Sequence, residues 1–269
     1  MSEALLSEIQ CVLLRGRTWR YLRYLHFRDL ILRIGSEIET ICVCGGGHGY
    51  AELAIAIEFP HLKIVLTDII AKGYPNYHKT MDLCFKNSID NLNFSIWNVL
   101  TPAKRKFDLV CSTEMLEHVP DAPRAVTNMR NASSNYVYCL VPYSDDETNN
   151  TASKRIAAWD KCEHFVCGYD EKSLASMFGT PIWTAGTYWR ETGFRLRERL
   201  MTASDAEITA EMETLKREAL EDICDKVPVN SREAFGIKTL TRWDAPRPAK
   251  PLLPPALDLF MPKAELATT

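Results

Sequence analysis

The chain has 269 residues, of which 46% are hydrophobic and 25% charged, and its formal net charge is −3. That balance excludes a disordered or collagen-like chain and suits one large α/β domain with additions. A total charge this close to neutral gives no global attraction to nucleic acid, so only local basic stretches bear on that partner.

Nine cysteines form an odd set, and Cys42, Cys44, Cys111 and Cys139 lie in apolar runs. This pattern suits buried, reduced thiols in a cytoplasmic protein. The opening "MSEALLSEIQ" carries Glu3 and Glu8 with no basic leader, so it does not read as a signal peptide. No apolar run approaches the ~20 residues that cross a bilayer. Neither a membrane nor a nucleic acid is expected as a partner.

Residues 1–38 read as helical, with apolar positions set among Arg15, Arg17, Arg20, Arg23, Arg28 and Arg33. "TICVC" predicts a buried strand. A helix follows over Tyr50–Glu58 and must stop near Pro60. "LKIVLTD" predicts a second strand, and a helix spans about Tyr77 to Ser88. "NFSIWNV" and "FDLVCS" predict strands three and four. Asp121 can cap the next helix, with Pro123 in its first turn. "NYVYCLVP" is the fifth strand. "YDEKSLASMFG" is a short helix capped by Asp170 and closed by Gly179.

"PIWTAGTYW" predicts a sixth strand. The helix over Asp205–Lys226 opens with a capping box, Ser204 and Glu207, and sets Ile208, Met212, Leu215, Ala219 and Ile223 on one face. "FGIKTLTRW" is the seventh strand, and five prolines between Pro246 and Pro255 predict an extended tail. Strands alternating with helices at this spacing define an α/β fold, a doubly wound parallel sheet with helices on both faces.

The segment "CVCGGGHGYAELA" places glycines at the end of the first strand, where open α/β sheets bind ligands. A P-loop would need Gly-Lys-Ser/Thr, which is missing. A dinucleotide fingerprint needs a small sixth residue, but counting from Gly45 that residue is Tyr50. A plain structural turn is the remaining reading from the glycines alone. Asp68 ends the second strand, 19 positions after Gly49, where a carboxylate can accept both hydroxyls of a ribose. Together the two features favour a nucleoside-containing ligand.

From "CGGGHG", "VLTD", "WNV", "FDLVCSTEMLEHVPD", "CLVP" and "EHFVCGYDEKSLASMF", the chain resembles the class I S-adenosylmethionine-dependent methyltransferases over about residues 40–180. The resemblance is to the broad small-molecule (type 11-like) group. It implies a seven-stranded Rossmann-like sheet with an N-terminal helical extension and a helical insertion before the last strand. S-adenosyl-L-methionine is the implied cofactor. Gly45, Gly46, Gly47 and Gly49 would pass its methionine moiety, Asp68 would take the ribose hydroxyls, and Ile69 would line the adenine. Asn98 would accept from the adenine amino group, and Val99 would pack on the ring. Cys111, Ser112 and Glu114 would lie under the methionine arm. One departure stands out: the family usually has an acid two residues before the first glycine, and here that residue is Val43.

Methyl transfer needs donor and acceptor aligned and water excluded, with a base only where the acceptor carries a proton to be removed. His118, His164 and Tyr143 are the candidate catalytic or acceptor-lining side chains, each with an ordinary packing role as its alternative. Cys162, His164 and Cys167 stand close in sequence but lack a fourth zinc partner. Asp145, Asp146 and Glu147 read as a solvated loop. No metal is expected.

The expected organisation is a helical lid over 1–38, the methyltransferase domain over 39–245 with a helical cap insertion at about 191–233, and the tail over 246–269. The acceptor is a small organic molecule, with O-methylation preferred over N- or C-methylation. Arginines interleaved with Trp19, Tyr21, Tyr24 and Phe27 keep an RNA or protein acceptor as the alternative. Val43 keeps a non-catalytic, cofactor-binding domain as another. A homodimer through the extension helices is left open.

Overall fold

The computed structural model describes residues 2–16, 18–69, 76–144, 154–156, 160, 163–187, 200, 202–222 and 236–242. Seven strands form one sheet: β1 (Thr40–Cys44), β2 (Lys63–Asp68), β3 (Leu92–Ile96), β4 (Phe107–Thr113), β5 (Ser133–Pro142), β6 (Trp183–Thr187) and β7 (Gly236–Arg242). Their order is β3-β2-β1-β4-β5-β7-β6. The first five strands pair in parallel, as the long connections require. The order reverses between β1 and β4, so the crevice beyond their carboxyl ends is the switch point where ligands bind in such sheets.

The sheet is mixed rather than wholly parallel. β7 enters between β5 and β6 and runs antiparallel to both. An antiparallel return needs no crossover helix packed on the sheet, so the helix between β6 and β7 is free to pack elsewhere.

The side-chain alternation of the strands divides the core into two layers. Ile41 and Val43 of β1, Ile64 and Leu66 of β2, and Tyr136, Tyr138 and Leu140 of β5 face one side. The helices α1 (Ser2–Gly16), α2 (Thr18–Ile34) and α3 (Tyr50–Glu58) cover that side. Cys42, Cys44, Val65, Val137, Cys139 and Val141 face the other side, where α5 (Ala122–Ala132) and α6 (Glu171–Phe178) pack. The remaining connection after β2 holds α4 (Asn76–Lys86).

The helix starts follow their capping chemistry. The Asp121 carboxylate accepts from the Arg124 N–H, and Asp170 accepts from the Ser173 N–H. The box of Ser204 and Glu207 starts α7 (Asp205–Asp222), whose Ile208, Met212 and Leu215 are buried against the layer of α1 and α2. Positions 223–226 of the expected helix, parts of the 191–233 insertion, the 246–269 tail, Cys162 and Asp145–Glu147 lie outside the described residues. So do the side chains of Arg17 and Trp19.

The N-terminal helices belong to the folded body. Arg28 Nε meets Glu58 Oε1 at 2.6 Å, Tyr24 Oη donates to Glu58 Oε2 at 2.8 Å, and Arg15 pairs with Asp205 at 2.7 Å. Below them His26 and Lys238 are both buried, with Lys238 Nζ 3.0 Å from His26 Nδ1 and 4.6 Å above the Trp183 ring centroid. Burial, and then the Lys238 charge, hold the His26 imidazole well below its ordinary pKa. Among the described residues, no helix is long and apolar enough to cross a membrane.

Candidate active site

The glycine turn is laced to the second strand by its backbone. Gly45 N–H donates to the Thr67 carbonyl at 2.8 Å, and Gly47 N–H donates to Asp68 Oδ2 at 3.1 Å. Gly45 has φ +71°, and a Cβ there would lie 2.4 Å from Met115 Cγ. At Gly46 a Cβ would lie 1.7 Å from Leu66 Cδ1, so the turn runs directly over β2. Gly47, at φ +55°, differs: among the described residues a Cβ there would meet nothing within 4 Å. Glycine at 47 therefore relieves backbone strain and leaves one side of the turn open. Gly49 caps α3.

Asp68 faces this turn. Its Oδ1 accepts from the Ile69 N–H at 2.7 Å and its Oδ2 from Gly47. A carboxylate has about four lone-pair positions, so two remain for further donors. Ile69 and Ile96, at the ends of β2 and β3, are both exposed, and Asp68 is in register with Ile96. Two bare aliphatic side chains beside a carboxylate make an apolar platform next to a hydrogen-bonding edge.

The other sequence-predicted positions divide by burial. Asn98 is exposed, and its Oδ1 accepts from the Leu100 N–H at 3.0 Å, closing a local turn. Val99 is buried among the α5 side of the core, and its carbonyl accepts from Asn128. Cys111 and Ser112 are wholly buried in β4, so the strand backbone rather than their side chains borders the crevice. Burial raises the Cys111 thiol well above its ordinary pKa. Among the described residues the Ser112 Oγ has no hydrogen-bond partner.

Beyond β4 the chain turns sharply. Glu114 has φ +51°, a conformation uncommon for a residue with a side chain. Arg23 of α2 reaches this bend: it donates to the Thr113 carbonyl at 2.7 Å and to Thr113 Oγ1, and its other guanidinium nitrogen lies 3.6 Å from Glu114 Oε2. Burial raises the Glu114 carboxyl, and Arg23 and His118 oppose that rise. Glu52, buried in the first turn of α3, is likewise raised by burial and opposed by Arg23. Val43 is buried in the core, so the place usually held by an acid offers no contact to a ligand.

A 3-10 turn over Leu116–His118 follows. The Phe165 N–H donates to the Glu117 carbonyl at 2.7 Å, His118 Nδ1 lies 3.1 Å from the Glu163 carbonyl, and Tyr169 Oη donates to the Leu116 carbonyl. These bonds strap residues 163–169 along the turn and set the His118 and His164 rings edge-to-face, 4.5 Å apart. Burial, then His118, hold His164 below its ordinary pKa. Tyr143, at the end of β5, bridges to Tyr169 beside the same strap. Glu117 is buried. Burial first, and then the charge of Glu114, push its carboxyl up to about 8.

The structure thus gathers Gly45, Gly47 and Asp68 at one end of the crevice and Glu114, His118 and His164 around the bend after β4. Arg23, Glu52 and Glu117 are additions that the sequence reading missed. The sequence carries a signal for Glu117 alone, the spacing in "EMLEH", which sets Glu114 and Glu117 three apart beside His118.

A family profile described as "Methyltransferase domain" matches residues 18–180. The chain belongs to this methyltransferase-domain family. No curated protein matches the sequence. Solved structures share the fold at low identity. A protein assigned as a sarcosine dimethylglycine methyltransferase, from Galdieria sulphuraria, is 12% identical with a TM-score of 0.57, over 84% of this chain and 87% of its own. Coclaurine N-methyltransferase, bound to N-methylheliamine and S-adenosylhomocysteine, is 9% identical with a TM-score of 0.53, over 82% of this chain and 70% of its own. Phosphoethanolamine N-methyltransferase 2 of Haemonchus contortus, in complex with S-adenosyl-L-methionine, is 12% identical with a TM-score of 0.51, over 80% of this chain and 52% of its own.

Proposed function

We propose that the protein transfers a methyl group from S-adenosyl-L-methionine to a small organic acceptor, with oxygen preferred as the methylated atom. The observation that carries this reading is the pairing of Asp68, with unused acceptor capacity, and the open side of the glycine turn at Gly47. When bound, the cofactor supplies a methyl carbon already activated by a sulfonium.

The chain's own residues have the remaining tasks. Asp68 holds a ribose, Ile69 and Ile96 flank an adenine, and the Gly45–Gly47 backbone lies along an amino-acid arm. The carbonyls and carboxylate around Glu114 suit the ammonium end of that arm, in place of the acid absent at Val43. Arg23 keeps Glu114 oriented and ties α2 over the bend, so residues 1–38 act as a fixed lid that helps exclude water. His118, His164 and Tyr143 border the acceptor side, where either histidine can take a proton from a hydroxyl.

A nucleic-acid acceptor has less support. Arg15, Arg23, Arg28 and Arg33 of the basic stretch all engage acids of the same chain. Calorimetry with S-adenosylhomocysteine tests the reading. Asp68→Ala is expected to weaken binding at least about tenfold, since hydrogen bonds to a charged group are worth about 1.5–3 kcal/mol. An unchanged affinity in a folded variant overturns the assignment.

A further inference from the structure

We propose that Glu117, His118 and His164 form a site for one divalent transition-metal cation on the acceptor side of the crevice. Their candidate ligand atoms all lie within 4.8 Å of one another. Ligands about 2.1 Å from an ion stand about 3.0–3.4 Å apart in octahedral or tetrahedral geometry, so small side-chain rotations close the set.

A second observation points the same way. The Glu117 side chain is buried to 1% exposure, and among the described residues its Oε2 has no hydrogen-bond partner. A buried carboxylate oxygen without a donor costs free energy. Edge-to-face packing accounts for two histidine rings in contact, but it does not account for an unsatisfied carboxylate oxygen beside them. A cation accounts for all three.

The surrounding bonds prepare the histidines for this role. With the Glu163 carbonyl at its Nδ1, a neutral His118 keeps its proton there and its lone pair on Nε2. A carbonyl partner that fixes a ring's tautomer is the usual outer support of a histidine ligand. The strap from Glu163 to Phe165, bonded to the Glu117 carbonyl, brings in His164 from 46 positions along the chain. Glu163 holds φ +58°, a second strained position at this spot.

The donor set selects the ion. Two imidazoles and one carboxylate suit Mn²⁺, Fe²⁺, Co²⁺ or Zn²⁺, whereas Mg²⁺ prefers oxygen ligands and several waters. Three protein ligands leave positions open. On the methyl-transfer reading, on which this step rests, those positions take a hydroxyl compound with a second oxygen able to chelate. With both imidazoles on the ion, neither histidine would act as the base: the hydroxyl proton would pass to solvent, the oxygen pair would form the new bond to the methyl carbon, and the carbon–sulfur bond would break with its pair returning to sulfur. The sulfonium becomes a neutral thioether.

The test is calorimetric titration of the full chain, stripped with EDTA, with Mn²⁺ and separately with Zn²⁺, in the absence of donor. One equivalent of at least one cation is expected to bind. Outer-shell losses alone cost 10–100-fold, so His164→Ala, His118→Ala and Glu117→Gln are each expected to weaken binding at least about 100-fold. S-adenosylhomocysteine binding by each variant checks its fold, and the half-buried His164 gives the variant least exposed to misfolding. The proposal is overturned if neither cation binds at millimolar concentration, or if folded His164→Ala binds like the native chain. Donor binding without cation binding removes the metal site alone. Cation binding lost in the variants, with no donor binding by the native chain, supports the metal site and removes the transfer reading.

Discussion

Replacing Gly47 by alanine separates a turn that serves the fold from a turn that serves a ligand. At φ +55° an alanine costs about 1–2 kcal/mol of backbone strain. Among the described residues the added methyl meets nothing within 4 Å, so no packing loss against them accompanies that strain. Gly45→Ala is the control. It carries similar strain at φ +71°, and its methyl also falls 2.4 Å from Met115 Cγ and 2.8 Å from Met115 Cβ. Overpacking of that kind adds about 1–3 kcal/mol, giving a total of about 2–5 kcal/mol. Urea unfolding should therefore find Gly45→Ala clearly less stable than Gly47→Ala. Donor binding should not follow stability. A methyl inserted where the proposal sets the amino-acid arm is expected to weaken S-adenosylhomocysteine binding in Gly47→Ala by about 5- to 150-fold, from the same 1–3 kcal/mol. Native affinity in folded Gly47→Ala would refute the placement of the ligand over the open side of the turn.

Arg23→Ala removes the donor to Thr113 and the cation nearest Glu114, and should lower stability by about 1.5–3 kcal/mol in urea unfolding. An unchanged midpoint would mean that α2 is not fastened to the site through this side chain. The pH dependence should carry the signature of His26. The unfolded chain binds a proton at this histidine below pH about 6.5, whereas the buried folded form does not, so stability falls as the pH drops through that value. Between pH 7 and pH 5 the native chain should therefore lose more stability than His26→Gln when the two proteins are compared at each pH. Parallel stability profiles would show that His26 titrates alike in both states.

What could be read from the sequence was local. β1 and β2 announce themselves because apolar side chains cover both faces of a central strand. Asp121, Asp170 and Ser204 announce helix starts because capping is settled within four residues. Gly47 and Asp68 were legible as partners because one βαβ unit brings their two strand ends together. Arg23 was not legible: it stands 90 positions from Thr113, and only the packing of α2 on the sheet joins them. The same holds for the contact of His118 and His164, which depends on the strap over 163–169. Val43 was legible as a departure and Glu114 as a residue of the site, but the placing of Glu114 and Glu52 around Arg23 was not. The antiparallel entry of β7 also escaped, since strand polarity depends on how the chain returns rather than on the strand's own residues.

That entry has a consequence for how the molecule is made. Among the described residues β6 forms ladder hydrogen bonds with β7 and with no other strand, yet some 48 residues separate the two in the chain. Among the described strands β7 is the one neighbour of β6 and of the outer edge of β5, so those ladders cannot form until the residues up to Arg242 have left the ribosome. The five parallel strands and their helices can assemble first, with Tyr136–Pro142 exposed as a temporary margin. The late strand then closes both gaps at once by sliding between them, so the sheet acquires one of its interior members last.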